Sequence, residues 1–459
     1  MVDGNRAVWG DNYTGSLGNG NNFTQLFPLQ VASTGDWLTL TAGDSHALGI
    51  RGDGVDVATN TLWAWGANNE GQLGIGNNTD QYVVQLVPAG AGRYWVDVAA
   101  GDAHTLAIKD DGTLWSWGWN LWGQLGTGDT SDRNVPVQVG VASNWSMVAA
   151  GNGFSLALNT SGELYAWGSN SYGQLGLGDT LDRYYPVQLG TDVDAFSWKL
   201  VDGGGGFTLA IRADDSLWAW GYDGFGQLGS TAVDDYAASP VLVNDSVAWI
   251  DISAGGDHSL AVNGSGELWA WGRNSAGQLG DGSTTTSFLP IRIGGDSDWV
   301  EVAAGSLHSL AFKTDDSLYS WGSNGYGQLG RDSTDNWSSP QPVDLSSIPV
   351  VDGSQIYDPL AVDSDGDGVP DVYDTFPTDP VLVANGDLDQ NVLLKAADYQ
   401  LAVRILLGKE APSAAEWAGY LRFGDVAPLD VNNFPAPDGA FTLGDALVIL
   451  RRVEQLTSW

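Results

Sequence analysis

The residue pattern best suited to chemistry is a ladder of carboxylates towards the end of the chain. Asp363, Asp365 and Asp367 alternate with serine and glycine, Asp371 follows Val369-Pro370, and Asp374 comes three residues later. Alternate carboxylates on a glycine-bent loop offer a hard cation several oxygens at short range, so the pattern predicts bound calcium rather than a solvated acidic linker. A second run sets Asp387, Asp389, Asn391 and Asp398 at loop positions 1, 3, 5 and 12. That is the spacing of an EF-hand, with Val392 at the sixth place, where glycine gives the sharp turn. A third set begins at Asp425 and resumes at Asp438 and Asp445, with residues 427–437 inserted and Asn432 or Asn433 replacing the displaced third ligand.

Two other sets of side chains invite a chemical reading. All four histidines, His46, His104, His258 and His308, fall at one position of one repeated phrase, and Phe154 and Phe207 occupy it in two further copies. A ring of imidazoles could bind metal or act as bases. Replacement by phenylalanine favours the other reading, a packing residue that hydrogen-bonds its neighbour. The second set is a variable column, Thr14, Glu70, Trp122, Tyr172, Phe225, Ala276 and Tyr326, just before a Gly-Gln-Leu-Gly step or its equivalent. Exposed aromatics at Trp122, Tyr172, Phe225 and Tyr326 would suit contact with a protein partner; the alternative is that each ring covers its own junction. The glutamines of that step read as buried amides tying loop backbone groups. No phosphate-cradling loop, nucleophile elbow or zinc-protease signature is present.

Composition narrows the class. The chain of 459 residues carries 56 Asp and Glu against 18 Lys and Arg, a net charge of −38. Such a surface lacks the cations that dominate nucleic-acid binding. There is no cysteine, hence no disulfide or thiol chemistry. No apolar run approaches the ~18–20 residues of a membrane span, and no signal peptide is visible.

The elements that must position these residues come from a phrase repeated seven times. Its Trp-Gly step places tryptophan at 9, 65, 117, 167, 220, 271 and 321, spaced by 50 to 56 residues. A second phrase, typified by Ala42-Gly-Asp-Ser-His-Ala-Leu48, occurs six times, with a degraded copy at residues 351–362. Each unit reads as an alternating strand after an aromatic residue, a second strand, a hairpin turn such as Asp111-Gly112, a Leu-Trp-Ala-Trp-Gly strand, and a Pro-led edge strand such as 136–139 or 186–189. Four strands per unit make a propeller blade. Because the chain starts and finishes in mid-unit, residues 5–10 are expected to pair with residues 350–363 and so remove two exposed sheet edges.

The Trp-Gly-x-Asn-x-x-Gly-Gln-Leu-Gly and Ala-Gly-x-x-His-x-Leu phrases resemble the regulator-of-chromosome-condensation repeat family over residues 1–363. That resemblance implies an all-β, seven-bladed propeller. Function is left open by it, since members include a nucleotide exchanger on a small GTPase and extracellular bacterial proteins. Kelch and WD repeats match less well. Residues 363–380 are similar to a thrombospondin type-3 repeat. The pair of loop-helix units over 386–456, with helical stripes through Leu394–Ile405 and Leu443–Val453, resembles a type I dockerin. The dockerin resemblance implies a cohesin-like partner, although the contact positions here are Ala396-Ala397 and Leu443-Gly444.

The sequence reading is therefore a propeller over 1–362, a calcium-binding acidic linker over 363–384, and a small α-helical, EF-hand-like calcium domain over 385–459. The function expected is that of a non-catalytic, extracellular or cell-surface protein binder, monomeric and of bacterial origin, with calcium as its cofactor. Alternatives are a secreted polysaccharide lyase or hydrolase and a surface adhesin. Convergent carboxylates at the central channel would mark the enzyme; a flat aromatic face would mark the binder.

Overall fold

The computed structural model describes residues 6–32, 36–52, 60–89, 93–190, 197–231, 235–244, 246–345, 350–352, 426–429 and 435–437. The chain divides into two compact units, Met1–Ser354 and Gln355–Trp459. All regular structure among the described residues is β-strand.

The first unit repeats one sheet. In the first blade, Asp36–Ala42, His46–Gly52, Thr61–Gly66 and Gln81–Leu86 pair in order and antiparallel. The second blade begins at Trp95, the third at Trp145, the fourth at Trp198, the fifth at Trp249 and the sixth at Trp299. The sequence expectation of seven four-stranded blades is corrected: there are six among the described residues. The seventh sheet has three strands, Arg6–Gly10, Gln25–Ala32 and Val350–Asp352.

Of the residues expected to pair with the start of the chain, 350–352 are described and 353–363 are not. Val350–Asp352 joins parallel to Gln25–Ala32, not to Arg6–Gly10, which pairs with Gln25–Ala32 from the other side. The expected proline-led strands begin earlier than the prolines, as Arg133–Gln138 and Arg183–Gln188, and the register shifts between the arginine and the proline region. An outermost strand tolerates that break because its far side makes no ladder.

The cores lie between blades. Leu48, Ile50, Leu62 and Ala64 of the first blade pack on Trp95, Val98 and Trp117 of the second, and the arrangement recurs through the sixth. The first strands of successive blades neighbour one another, so they line the centre of the ring.

The repeated tryptophan stitches each blade to its predecessor. Its indole Nε1–H donates to a backbone carbonyl in the preceding loop: Trp65 to Ser16, Trp117 to Gln72, Trp167 to Gln124, Trp220 to Gln174, Trp271 to Gln227 and Trp321 to Gln278, all at 2.8–2.9 Å. The seventh such bond, Trp9 to the Gln328 carbonyl at 2.8 Å, joins residues 319 positions apart and links the three-stranded sheet to the sixth blade. The glycine after each tryptophan is obligatory for a steric reason: at Gly66, φ is +96° and a Cβ would stand 2.6 Å from the Ser45 carbonyl oxygen.

In the second unit only Val426–Leu429 and Pro435–Pro437 are described, as an antiparallel pair. Apart from Val426, this pair falls within the insertion at residues 427–437 of the third acidic loop. The residues expected to ligate calcium, Asp363, Asp365, Asp367, Asp371, Asp374, Asp387, Asp389, Asn391, Asp398, Asp425, Asn432, Asp438 and Asp445, and both expected helices, lie outside the described residues.

Candidate functional site: the loop face of the propeller

Each Trp-Gly strand runs into a loop that sits beside the turn between the first two strands of a blade, so these segments share one face of the ring. An asparagine holds the loop in shape. Asn120 Oδ1 accepts the Leu125 N–H at 2.9 Å, while its Nδ2 donates to the carbonyls of Asp129 and Ser131. The glutamine is tied as expected: Gln124 Oε1 accepts the Trp122 N–H at 3.0 Å, and the same bond recurs at Glu70, Tyr172, Phe225, Ala276 and Tyr326. These amides are scaffold, buried in every case but the half-buried Gln328. They fix the residue two places earlier, which is the variable column.

The four candidate contact residues divide. Tyr326 is 61% exposed and Tyr172 is 47% exposed. Trp122 is half-buried: it packs edge-on against Trp119 at 4.5 Å between ring centroids and lies over Gly153 of the next blade, where a Cβ would come within 2.4 Å of its ring. Trp122 thus covers a blade junction, whereas Tyr172 and Tyr326 offer their rings to solvent. Phe225 is half-buried and belongs to a short aromatic chain, Tyr172 to Tyr222 at 4.9 Å and Tyr222 to Phe225 at 6.3 Å, ending where the Arg273 guanidinium sits 5.1 Å from the Phe225 ring. Sequence reasoning missed Tyr222 and Arg273. They occupy a second variable column, the residue after Trp-Gly, and comparing that column as well would have found them.

The face is acidic near its centre. Asp44 and Asp102 stand at equivalent turn positions of adjacent blades, and burial together with the Asp44 charge holds the Asp102 carboxyl above the usual carboxylate range. Asp257 is engaged, accepting from Arg273 Nη1 at 3.2 Å. Burial, with the nearby Asp257 charge, raises the Tyr222 hydroxyl pKa.

Three of the four histidines link one blade to the next by a side-chain hydrogen bond. His104 Nε2 meets Ser155 Oγ of the next blade at 3.0 Å, and that hydroxyl donates onward to the Gln124 carbonyl, so the imidazole is the donor. His258 with Ser309 and His46 with Thr105 repeat the arrangement. Burial pushes His46 and His308 down to about 4, and His104 and His258 to about 3, which keeps all four neutral at physiological pH. Among the described residues, no group of three or more His, Cys, Asp or Glu could hold a metal ion.

The carboxylates on the first strands also serve the frame. Asp97, Asp202 and Asp251 accept backbone N–H groups of the next blade, from Val148, Ala254 and Val302, at 2.8–2.9 Å. Burial raises the pKa of all three, Asp202 to about 6 and Asp251 to about 7. Each therefore bridges two strands. No helix among the described residues is long and apolar enough to cross a membrane.

Comparison with known proteins agrees with this architecture. A family profile described as the RCC1-like domain matches residues 61–367. The ultraviolet-B receptor UVR8 of Arabidopsis thaliana is 32% identical over 288 residues, covering 61% of this chain and 63% of UVR8. The human E3 ubiquitin-protein ligase HERC2 is 29% identical over 300 residues, covering 64% of this chain and 5% of HERC2. The chain thus spans less than two thirds of the length of these relatives. Among solved structures, human WBSCR16 superposes with a TM-score of 0.67 at 23% identity, covering 76% of this chain and 98% of that one. Prp20p from Saccharomyces cerevisiae gives 0.66 at 24% identity, covering 75% and 87%. At such identities the structures attest to the fold alone. Since the profile spans well over half of the sequence and falls on the repeated blades, the chain belongs to the RCC1-like domain family.

Proposed function

We propose that the propeller is a non-catalytic protein-binding scaffold that engages its partner through the loop face carrying Tyr172, Phe225 and Tyr326, with Trp122 as a supporting residue. The observation that carries this reading is the exposure of Tyr172 and Tyr326, at 47% and 61%, on loops whose backbones are held by side-chain amides. Rigidly mounted, solvent-facing aromatics give large contact area at little entropic cost. The inner-strand carboxylates support the non-catalytic reading, because they are spent on strand N–H groups. Within the same fold, a yeast RCC1 (Prp20) was solved bound to Kap60; by analogy, the partner here is a protein.

For residues 363–459 the proposal rests on sequence spacing: a calcium-loaded, dockerin-like module that docks or anchors the propeller, on an exported protein. Affinity capture from the native medium tests the central claim. A partner held by the parent and lost by the Tyr172→Ala/Tyr326→Ala variant, with unchanged thermal unfolding, is the expected result; equal capture by both would refute the assigned face.

A further inference from the structure

On the loop face, one cation is already seated by the protein itself. Arg273 follows the Trp-Gly step of the fifth blade. Its guanidinium lies 5.1 Å from the ring of Phe225 in the fourth blade, its Nη1 is 3.2 Å from Asp257 Oδ2, and its Nε donates to Ser275 Oγ at 3.1 Å. Ring, carboxylate and hydroxyl together make a cradle shaped for a planar cation. That register sets the residue after Trp-Gly against the ring of the preceding blade: for Tyr172 it is Tyr222, 4.9 Å away between ring centroids, and for Tyr326 the residue at that repeat position is Asp11. Neither brings a cation, and Tyr172 and Tyr326 keep 47% and 61% of their surface open to solvent. Asp44 and Asp102, on the same face, form no salt bridge among the described residues, and burial together with the Asp44 charge makes the Asp102 charge harder to hold.

We propose that this face binds a basic segment of a partner protein, whose arginine or lysine side chains seat on the exposed tyrosines and beside the free carboxylates as Arg273 seats on Phe225 and Asp257. This deepens the reading of the face as a protein-binding surface and rests on it. Charge complementarity selects the occupant. The chain carries −38 overall, so an acidic partner is repelled at long range and a basic one is drawn in. The aromatic rings then add short-range attraction that a carboxylate or an apolar side chain does not gain from a ring face.

The test uses the full chain and a nona-arginine peptide, titrated calorimetrically at physiological and at high salt. General attraction to an acidic protein must be separated from the face itself. The Tyr172→Ala/Tyr326→Ala variant, which leaves charge unchanged, is expected to bind about tenfold more weakly. Arg273→Ser, which empties the internal cradle, is expected to bind several-fold more tightly than Arg292→Ser. The latter removes the same charge from a pair with Glu267 at the opposite end of the same blade. Equal affinities for parent and tyrosine variant, together with equal affinities for the two arginine variants, would show binding that follows net charge and would overturn the proposal, as would no binding at physiological salt. Should the tyrosine variant fail to fold, the arginine pair decides alone. A captured partner that needs the tyrosines but presents an acidic or apolar segment, or self-association of this chain through the face, overturns the basic-segment inference while leaving the face an interface.

Discussion

Replacing His104 by phenylalanine should convert a pH-sensitive link of the ring into an insensitive one. His104 is fully buried, and its Nε2–H donates to Ser155 Oγ at 3.0 Å. Two blades show that the ring tolerates the change. Phe154 and Phe207 fill the same niche, with Gly151 and Gly204 against their rings as Gly101 lies against His104. The hydroxyls facing those phenylalanines, Thr208 and Ser259, still donate to the Gln174 and Gln227 carbonyls at 2.9 and 2.8 Å. At pH 7 the variant therefore loses one neutral hydrogen bond, worth about 1 kcal/mol, and recovers part of it through apolar burial. Acid changes the balance. The folded pKa is lowered by burial to about 3 from the ordinary imidazole value of 6.5, so between those values the unfolded chain binds a proton that the folded chain refuses. Stability is therefore present above the unfolded pKa and is lost as pH falls towards the folded one. At pH 4 the gap to the unfolded pKa is about 2.5 units, which at about 1.4 kcal/mol per unit is a penalty of roughly 3 kcal/mol. His104→Phe escapes it. Urea unfolding followed by tryptophan fluorescence at pH 7 and pH 4 should show the variant gaining roughly 3 kcal/mol on the parent over that interval. If the two proteins lose the same stability between these pH values, the buried neutral imidazole is not what resists acid.

The remaining predictions concern the frame, the core and the tail. Asp251 has its pKa raised to about 7, so its contribution runs the opposite way: stability falls as pH rises from about 4 to 7, and Asp251→Asn, which can still accept the Val302 N–H, should flatten that decline in the same unfolding assay. Truncating the fully buried Trp167 to alanine should cost about 3–5 kcal/mol, whereas Trp167→Phe should cost far less, chiefly the bond to the Gln124 carbonyl; similar losses for the two would mean that the indole N–H outweighs the ring's packing. Lys109 is buried with its ammonium 3.4 Å from the centroid of Trp115 and 4.8 Å from that of Trp95, and it donates to the Ala89 carbonyl at 2.8 Å; Lys109→Met should destabilise the second blade by about 1–3 kcal/mol, read as a lowered unfolding midpoint. Calcium added to the chelated full chain should raise its helical circular-dichroism signal, and an unchanged spectrum would remove the metal-dependent tail from the account.

The repeat was legible because identical sheets need identical chemistry. A Trp-Gly step every 50 to 56 residues, alternating strands and glycine turns give the blade, and four histidines interchangeable with two phenylalanines already read as packing. The protein-contact face was half legible. Its variable column could be listed, yet a chain cannot say which rings point outward. Trp122 and Tyr172 share one repeat position, and only the neighbours separate them: Trp119 pulls the first inward over Gly153, while Tyr172 keeps nearly half of its surface open. The same limit hid Arg273, whose meaning comes from Phe225 and Asp257, 48 and 16 residues away in the sequence. It also governed the junction of the chain's two ends. Repeat counting placed them in one sheet, but which backbone edge accepts Val350–Asp352, here that of Gln25–Ala32, depends on what the rest of that sheet leaves free. Composition and period are local properties and survive in the sequence; exposure, cation seating and strand choice arise from distant residues brought together, and only the folded ring decides them.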